Sequence, residues 1–126
     1  EVLDLTYGLG RFWRWDWRPL LNLTTSDLYP QTEHVQWRLD FTVLPPPEYV
    51  GSFDVVVFDP PYTAGGPPSD GAEHLSAYGS DRRLQDAPKD IGEVQRLLER
   101  GVGAAVQYSR RGVIVKVMDV VESGKL

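Results

Sequence analysis

The segment FDVVVFDPPY, residues 53–62, decides the fold. Its β-branched and aromatic residues are too apolar for a strand with one solvent-facing side, and such runs are typical of central strands in parallel sheets. We predict that the strand ends at Asp59, because Pro60 and Pro61 cannot donate hydrogen bonds to a strand ladder. An acidic side chain is therefore expected where a buried strand ends.

The other predicted elements alternate strands with crossovers along a single domain of 126 residues. Four more strands are expected at residues 2–6, 20–27, 35–41 and 112–121, and helical segments at 11–18 and 90–108. Apolar residues recur at helical spacing in the second helix, although Gly101 and Gly103 weaken its C-terminal half. Strands joined by such crossovers predict an α/β fold with a doubly wound, mainly parallel sheet.

Residues 63–89 form a long stretch rich in Gly, Pro, Ser and Asp with little periodicity. Loops of this length in a domain are usually functional lids or disordered segments. We expect this stretch to be a flexible substrate loop.

Composition excludes several classes of site. The chain has no cysteine, which rules out disulfides, thiolate metal sites and cysteine nucleophiles. His34 and His74 lie far apart in sequence without a ligand constellation, and no metal site is predicted. There is no apolar run of about 20 residues and no secretory signal pattern, so we predict no membrane contact and a cytoplasmic location.

A net charge of -5 gives no global attraction to a polyanion. A nucleic-acid partner must then be held by local cations. The candidates for phosphate contact are Arg82, Arg83, Arg110, Arg111 and Lys116, although basic residues on loops and at helix ends are usually only solvated.

Ligands of open α/β sheets bind at the carboxyl ends of the strands. Acidic residues fall at or near these predicted ends, namely Asp4, Asp27, Asp40, Asp59 and Asp119. The segment DLTYGLG, residues 4–10, adds a glycine turn directly after the first strand, and its Gly8 and Gly10 allow a ligand to approach the backbone closely. We therefore expect a ligand site at this edge. The nearby tryptophans are expected to pack in the core or to contact a cofactor or subunit, and they are Trp13, Trp15 and Trp17.

The order of these features resembles the S-adenosylmethionine-dependent amino-group DNA methyltransferases, of the phage and actinobacterial type that carries a DPPY motif. The shared features are the glycine turn, the acid after the second strand, Asp40 after the third and the tetrapeptide DPPY at 59–62 after the fourth. The resemblance covers residues 2–62 well and the remainder loosely. It implies a Rossmann-like class I methyltransferase fold, S-adenosylmethionine as cofactor and DNA as partner, with adenine favoured over cytosine.

The resemblance also implies roles for individual residues. Asp4, Gly8 and Gly10 would line the methionine end of the cofactor, Asp27 its ribose and Asp40 its adenine ring. Thr6 and Phe41 complete the implied cofactor set. The implied catalytic residues are Asp59, Pro60, Pro61 and Tyr62.

Elementary chemistry agrees with a role for the DPPY segment. An exocyclic amine is a poor nucleophile because its lone pair is delocalised into the ring. The Asp59 carboxylate and the Pro60 carbonyl can accept its two hydrogens, and the proline ring fixes the direction of that carbonyl. Tyr62 can stack on a base flipped out of the duplex, an interaction of about 1–3 kcal/mol per base.

Other functions remain open from the residues alone. Methylation at carbon-5 of cytosine is excluded because it needs a cysteine. An RNA or protein amino-methyltransferase and a non-catalytic scaffold with the same fold are alternatives. The chain begins inside the first predicted strand and ends soon after the fifth, and it has no segment for a target-recognition domain. We therefore expect a chain truncated at both ends, or a minimal form that needs a second copy or a specificity subunit.

Overall fold

A four-stranded, all-parallel sheet is the centre of the computed structural model, which describes residues 1–13, 21–60, 88 and 90–117. The strands are β1 (Val2–Asp4), β2 (Leu23–Thr25), β3 (Phe53–Phe58) and β4 (Ser109–Val115), in the spatial order β2-β1-β3-β4. Within the described ranges, α1 (Ile91–Tyr108) is the α-helix and lies between β3 and β4 in the chain, and a 3₁₀ turn covers Pro47–Tyr49. The predicted parallel α/β sheet is confirmed, and its arrangement is compatible with a Rossmann-like fold.

Strand β3 is central, as its apolar sequence predicts. It pairs in parallel with β1 on one side and with β4 on the other, and Val56 and Phe58 are completely buried. Parallel neighbours need a crossover connection, which α1 provides between β3 and β4. The strand carries its buried side chains to the point where Asp59 begins.

The hydrophobic core lies between one face of the sheet and α1. Leu3 and Phe58 from the sheet pack in one cluster with Ala105 and Tyr108 from the helix. Among the described residues, no helix covers the opposite face, so the doubly wound part of the prediction is not shown. The expected helical segment at 11–18 is described only to residue 13, where the chain forms turns.

Helix α1 spans nearly the range predicted and begins with a side-chain cap. The Asp90 carboxylate accepts a hydrogen bond of 2.8 Å from the backbone N–H of Glu93. The helix continues through both glycines to Tyr108. Gly101 lies directly against the ring of Phe58, where a side chain would not fit. Its most buried positions are therefore small residues and one tyrosine, at Gly101, Ala104, Ala105 and Tyr108.

The predicted third strand, residues 35–41, is wrong as a regular strand. The segment makes an isolated parallel bridge between Ser26 and Trp37, beside the end of β2. Because β2 has three residues, the ladder has little length, and Asp40 then turns the chain by accepting a hydrogen bond of 2.9 Å from the Thr42 N–H. Trp37 still packs against the core, as does its neighbour Leu39.

The last predicted strand, at 112–121, differs in position and burial. Strand β4 starts at Ser109, directly after α1, and ends at Val115. We expected this strand to be well buried from its apolar residues, but it is at the edge of the described sheet and Ile114 is 53% exposed. Residues 118–121 lie outside the described ranges.

The contact between Gly101 and Phe58 yields a matched pair of substitutions. A Cβ added at Gly101 would overlap the Phe58 ring, whereas one added at Gly103 meets no atom within 4 Å. We expect Gly101→Ala to lower the free energy of unfolding by about 1–3 kcal/mol through overpacking. Gly103→Ala should raise it by about 0.5–1 kcal/mol through helix propensity. Urea denaturation measures both values, and equal effects of the two substitutions would contradict the packing described.

Candidate active site

The direction in which successive strands are added to the sheet reverses between β1 and β3. The chain leaves β1 for β2 on one side and later returns to place β3 on the other side of β1. In open α/β sheets such a switch point leaves a crevice in which ligands bind. Asp4 is the last residue of β1 and Asp59 is the first residue after β3, so both border the crevice.

Thr6 connects the two segments that meet there. Its backbone N–H donates to Asp4 Oδ1 at 2.8 Å, and its Oγ1 accepts a hydrogen bond of 2.7 Å from the Asp59 N–H. The Leu5 N–H donates to the Val57 carbonyl at 3.0 Å, which continues the β1–β3 pairing to this point. The start of the glycine turn and the start of the DPPY segment are thus held at a fixed distance.

Asp4 is a buried carboxyl, with an exposed fraction of 1%. Burial raises its pKa to about 6, and the negative charges of Asp59 and Asp27 act in the same direction. Hydrogen bonds from Trp13 Nε1, at 2.6 Å, and from the Thr6 N–H partly offset this rise in the pKa. The N–H of Ser26, the residue before Asp27, donates to the Asp4 carbonyl at 2.8 Å, and Thr6 links Asp4 to Asp59, so the structure brings these three predicted residues together.

The glycine turn is fastened to Asp27. Gly8 and Gly10 have φ angles of 54° and 74°, in the left-handed region that glycine occupies without strain. The Gly8 N–H donates to Asp27 Oδ2 at 2.8 Å, and the Tyr29 N–H donates to Oδ1 of the same carboxylate at 2.9 Å. Asp27 therefore holds the turn against the end of β2 and is itself held in one orientation.

Asp59 is fixed by its side chain as well as its backbone. Lys116 Nζ donates to Asp59 Oδ2 at 3.1 Å, and the Lys116 N–H donates to the Phe58 carbonyl at 3.0 Å. Lys116 directly follows the last residue of β4. Pro60, which follows Asp59, is buried. Asp59 follows β3 and is contacted by residues that follow β1 and β4, namely Thr6 and Lys116.

The two remaining predicted cofactor residues have different surroundings. The Asp40 Oδ1 accepts hydrogen bonds from the Thr42 N–H and hydroxyl, at 2.9 and 2.7 Å. Phe41 packs on Phe58 with ring centroids 5.0 Å apart, so this segment lies against the carboxyl half of β3. Asp40 follows a segment with one isolated bridge instead of the regular strand expected, and the turn comes after it.

Two of the basic residues considered for phosphate contact lie at the opposite edge of the sheet. Arg110 and Arg111 are at the start of β4 and form ion pairs of 3.1 and 3.5 Å with Asp54, near the start of β3. In parallel strands these positions are far from the carboxyl edge. Of the described basic residues that the sequence suggested for phosphate contact, Lys116 alone is beside Asp59.

Several predicted residues lie outside the described ranges. They are Trp15, Trp17, Pro61, Tyr62, His74, Arg82, Arg83 and Asp119, together with the loop 63–89 apart from Pro88. Within the described ranges, no group of three or more His, Asp or Glu side chains is placed to hold a metal ion. Nor does any helix of those ranges have the length and apolar character needed to cross a membrane.

Among the contacts that the sequence did not reveal are two made by side chains with the acidic residues. One is the hydrogen bond from Trp13 to Asp4, and the other is the ion pair between Lys116 and Asp59. The predicted strand 112–121 placed Lys116 in the middle of a strand. A strand that starts directly after the helix, as β4 does, would have put this lysine at the carboxyl edge with the acids.

An open depression of about 360 Å³ lies apart from these residues, beside β2. Its lining includes Tyr7, Thr25 and His34, and none of the three neighbouring carboxylates contributes to it. The candidate site is therefore defined by the switch point and its contacts and not by this depression.

Comparison with known proteins adds no relative. No protein-family model, no curated protein and no solved structure matches the chain.

The buried carboxyl of Asp4 makes stability depend on pH. The folded-state pKa of about 6 exceeds the ordinary 3.8, so the folded protein binds this proton more tightly than the unfolded chain does. Stability is therefore lost as the pH rises from about 4 to about 6. Relative to Asp4→Asn, the free energy of unfolding of the wild type should fall by about 2 kcal/mol between pH 4 and pH 7.

Urea denaturation across this pH range measures the difference, with Asp54→Asn as the control. The pKa of Asp54 is lowered, first by the hydrogen bond from the Glu1 amino group and then by Arg110 and Arg111. Its contribution is therefore lost as the pH falls below about 4, which is the opposite sign. If the difference in the free energy of unfolding between the wild type and Asp4→Asn stays constant with pH, Asp4 does not titrate in this range.

Proposed function

We propose that this chain is an S-adenosylmethionine-dependent methyltransferase with a class I fold that acts on the exocyclic amino group of a base in DNA, adenine before cytosine. The observation that carries the proposal is the placement of Asp59 and the buried Pro60 at the switch point. Thr6 ties this segment to the glycine turn by a hydrogen bond of 2.7 Å. An amine acceptor and a turn suited to a cofactor are thereby adjacent.

The residues at the carboxyl edge fit the proposed cofactor. When bound, S-adenosylmethionine would supply a methyl group on a positively charged sulfur, and this sulfur would leave with the electron pair of the broken carbon–sulfur bond as the base nitrogen forms the new bond. The carboxylates of Asp4, Asp27 and Asp59 favour a cationic ligand at this edge. At Gly8 the nearest atom to an added Cβ would be the Thr6 carbonyl oxygen at 3.9 Å, so a ligand can approach the backbone there.

Asp59 and Pro60 direct the amine. The carboxylate and the proline carbonyl each accept one hydrogen bond from the amine. These bonds bend the amine towards tetrahedral geometry and direct its lone pair at the methyl carbon. The nitrogen gains the methyl group and then loses a proton, which Asp59 or water accepts. Alignment of the reactants can contribute about 7–11 kcal/mol to such a reaction in favourable cases. Rigid placement of Asp59 is therefore the main task of the protein.

Transfer of a labelled methyl group tests the activity. The wild type should label duplex or single-stranded DNA. Asp59→Ala should lower the rate at least about 100-fold, because the amine loses an acceptor positioned by the protein. Asp54→Ala is the matched control, since it removes the same side chain from the opposite end of β3 and should retain activity.

The same assay includes RNA as a substrate. Labelling of RNA alone would favour the RNA amino-methyltransferase alternative. Equal labelling by Asp59→Ala and the wild type would contradict the role of Asp59. No labelling of any nucleic acid by the folded chain would favour a non-catalytic scaffold. To test whether a second copy is the partner, methyl transfer is measured over a range of protein concentrations, and sedimentation measures self-association over the same range.

Calorimetry separates cofactor binding from catalysis. The wild type should bind S-adenosylmethionine, and Asp27→Ala should weaken binding at least about tenfold, the effect expected from loss of one charge-assisted hydrogen bond. The substitution also releases the Gly8 N–H that Asp27 holds at 2.8 Å. Asp54→Ala should bind as the wild type does. Absence of heat with folded wild type at high micromolar cofactor would contradict the proposed function.

A further inference from the structure

We propose that Lys116 is a positioning residue that fixes the carboxylate of Asp59 for the amine. The inference rests on the proposed function and deepens it, because it assigns a part in the reaction to the residue that follows β4. Its basis is the ion pair of 3.1 Å between Lys116 Nζ and Asp59 Oδ2.

The backbone of Lys116 is anchored beside its target. The Lys116 N–H donates to the Phe58 carbonyl at 3.0 Å, so the lysine backbone is held next to the residue that precedes Asp59. Val115 and Phe58 are paired in the β3–β4 ladder, which sets this register. A lysine one position earlier would point to the other side of the strand.

Asp59 is consequently held from two directions. Its backbone N–H donates to Thr6 Oγ1 on the β1 side, and its carboxylate receives Lys116 on the β4 side. A carboxylate has about four lone-pair sites, so it can accept from a lysine and from an amine at the same time. The lysine restricts rotation of the carboxylate.

The charges of the site give Lys116 a second effect. The negative charges of Asp59 and Asp27 both act on the buried Asp4. The ammonium of Lys116 offsets part of this negative charge at Asp59. Arg110 and Arg111 cannot replace it, because they pair with Asp54 at the opposite edge.

The ion pair contributes little to the fold. The side chain of Lys116 is 53% exposed and that of Asp59 is 21% exposed, and exposed ion pairs add little to stability. Substitution of Lys116 should therefore leave the protein folded, which allows its effect on the reaction to be measured.

The test compares Lys116→Met, Lys116→Arg and the control Arg111→Met in methyl transfer to DNA. Met keeps most of the aliphatic length without the charge. We expect Lys116→Met to lower kcat about 10- to 100-fold, since small misplacement of a catalytic group costs up to about 100-fold. The KM for DNA should change less than about threefold. Lys116→Arg should recover most of kcat, because a cation is restored at the carboxylate.

Arg111→Met removes a side chain that is 80% exposed at the opposite edge, and it should have the kcat of the wild type. Salt dependence of KM separates positioning from phosphate contact. Suppose that Lys116→Met raises KM without changing kcat, and that the slope of log KM against log salt concentration falls by about one. Lys116 would then be a phosphate contact, which would overturn the inference.

Three further outcomes are distinct. If the wild type transfers methyl groups and Lys116→Met has the same kcat, the positioning role is wrong while the proposed function stands. If the wild type transfers none to any substrate, the proposed function fails and the inference fails with it. A loss of kcat in Lys116→Met that Lys116→Arg does not restore would also overturn a role based on the ammonium charge.

Discussion

The parallel pairing of β1 with β3 is the constraint on which the rest of the structure depends. It aligns Asp4, the last residue of β1, with Val57 near the end of β3, and it continues beyond the strands through the hydrogen bond from the Asp59 N–H to Thr6. Strand β2 then joins the free side of β1, and β4 joins the free side of β3. The switch point, the acidic residues and the glycine turn are arranged around this one pairing.

Burial of acidic groups at the carboxyl edge has an energetic cost that the local contacts reduce. The pKa of Asp4 is raised to about 6 by burial, and Trp13 and Thr6 offset the effect only in part. A fold selected for stability alone would avoid a buried carboxyl beside two other acids. Perturbed groups of this kind concentrate at functional sites, although structural networks also produce them. The cost is consistent with a site that binds a cationic ligand.

The central strand and the helix could be predicted because their signals are local. The apolar run at 53–58 and the helical spacing at 91–108 are properties of consecutive residues, and the positions of Asp4 and Asp59 follow from where the strands end. The segment 35–41 shows the limit of such signals. Trp37 packs against the core, but a ladder also needs a partner of sufficient length, and β2 has three residues.

The sequence by itself determined a parallel α/β sheet, a central β3 and an acid followed by prolines at its carboxyl end, because these depend on strand composition and on the chemistry of proline. Only the tertiary structure decided that Thr6 links Asp4 to Asp59, that Trp13 contacts Asp4 and that Lys116 reaches Asp59. The last contact joins residues 57 positions apart in the chain. Such pairs arise from strand order and register, which are properties of the assembled sheet and not of any one segment.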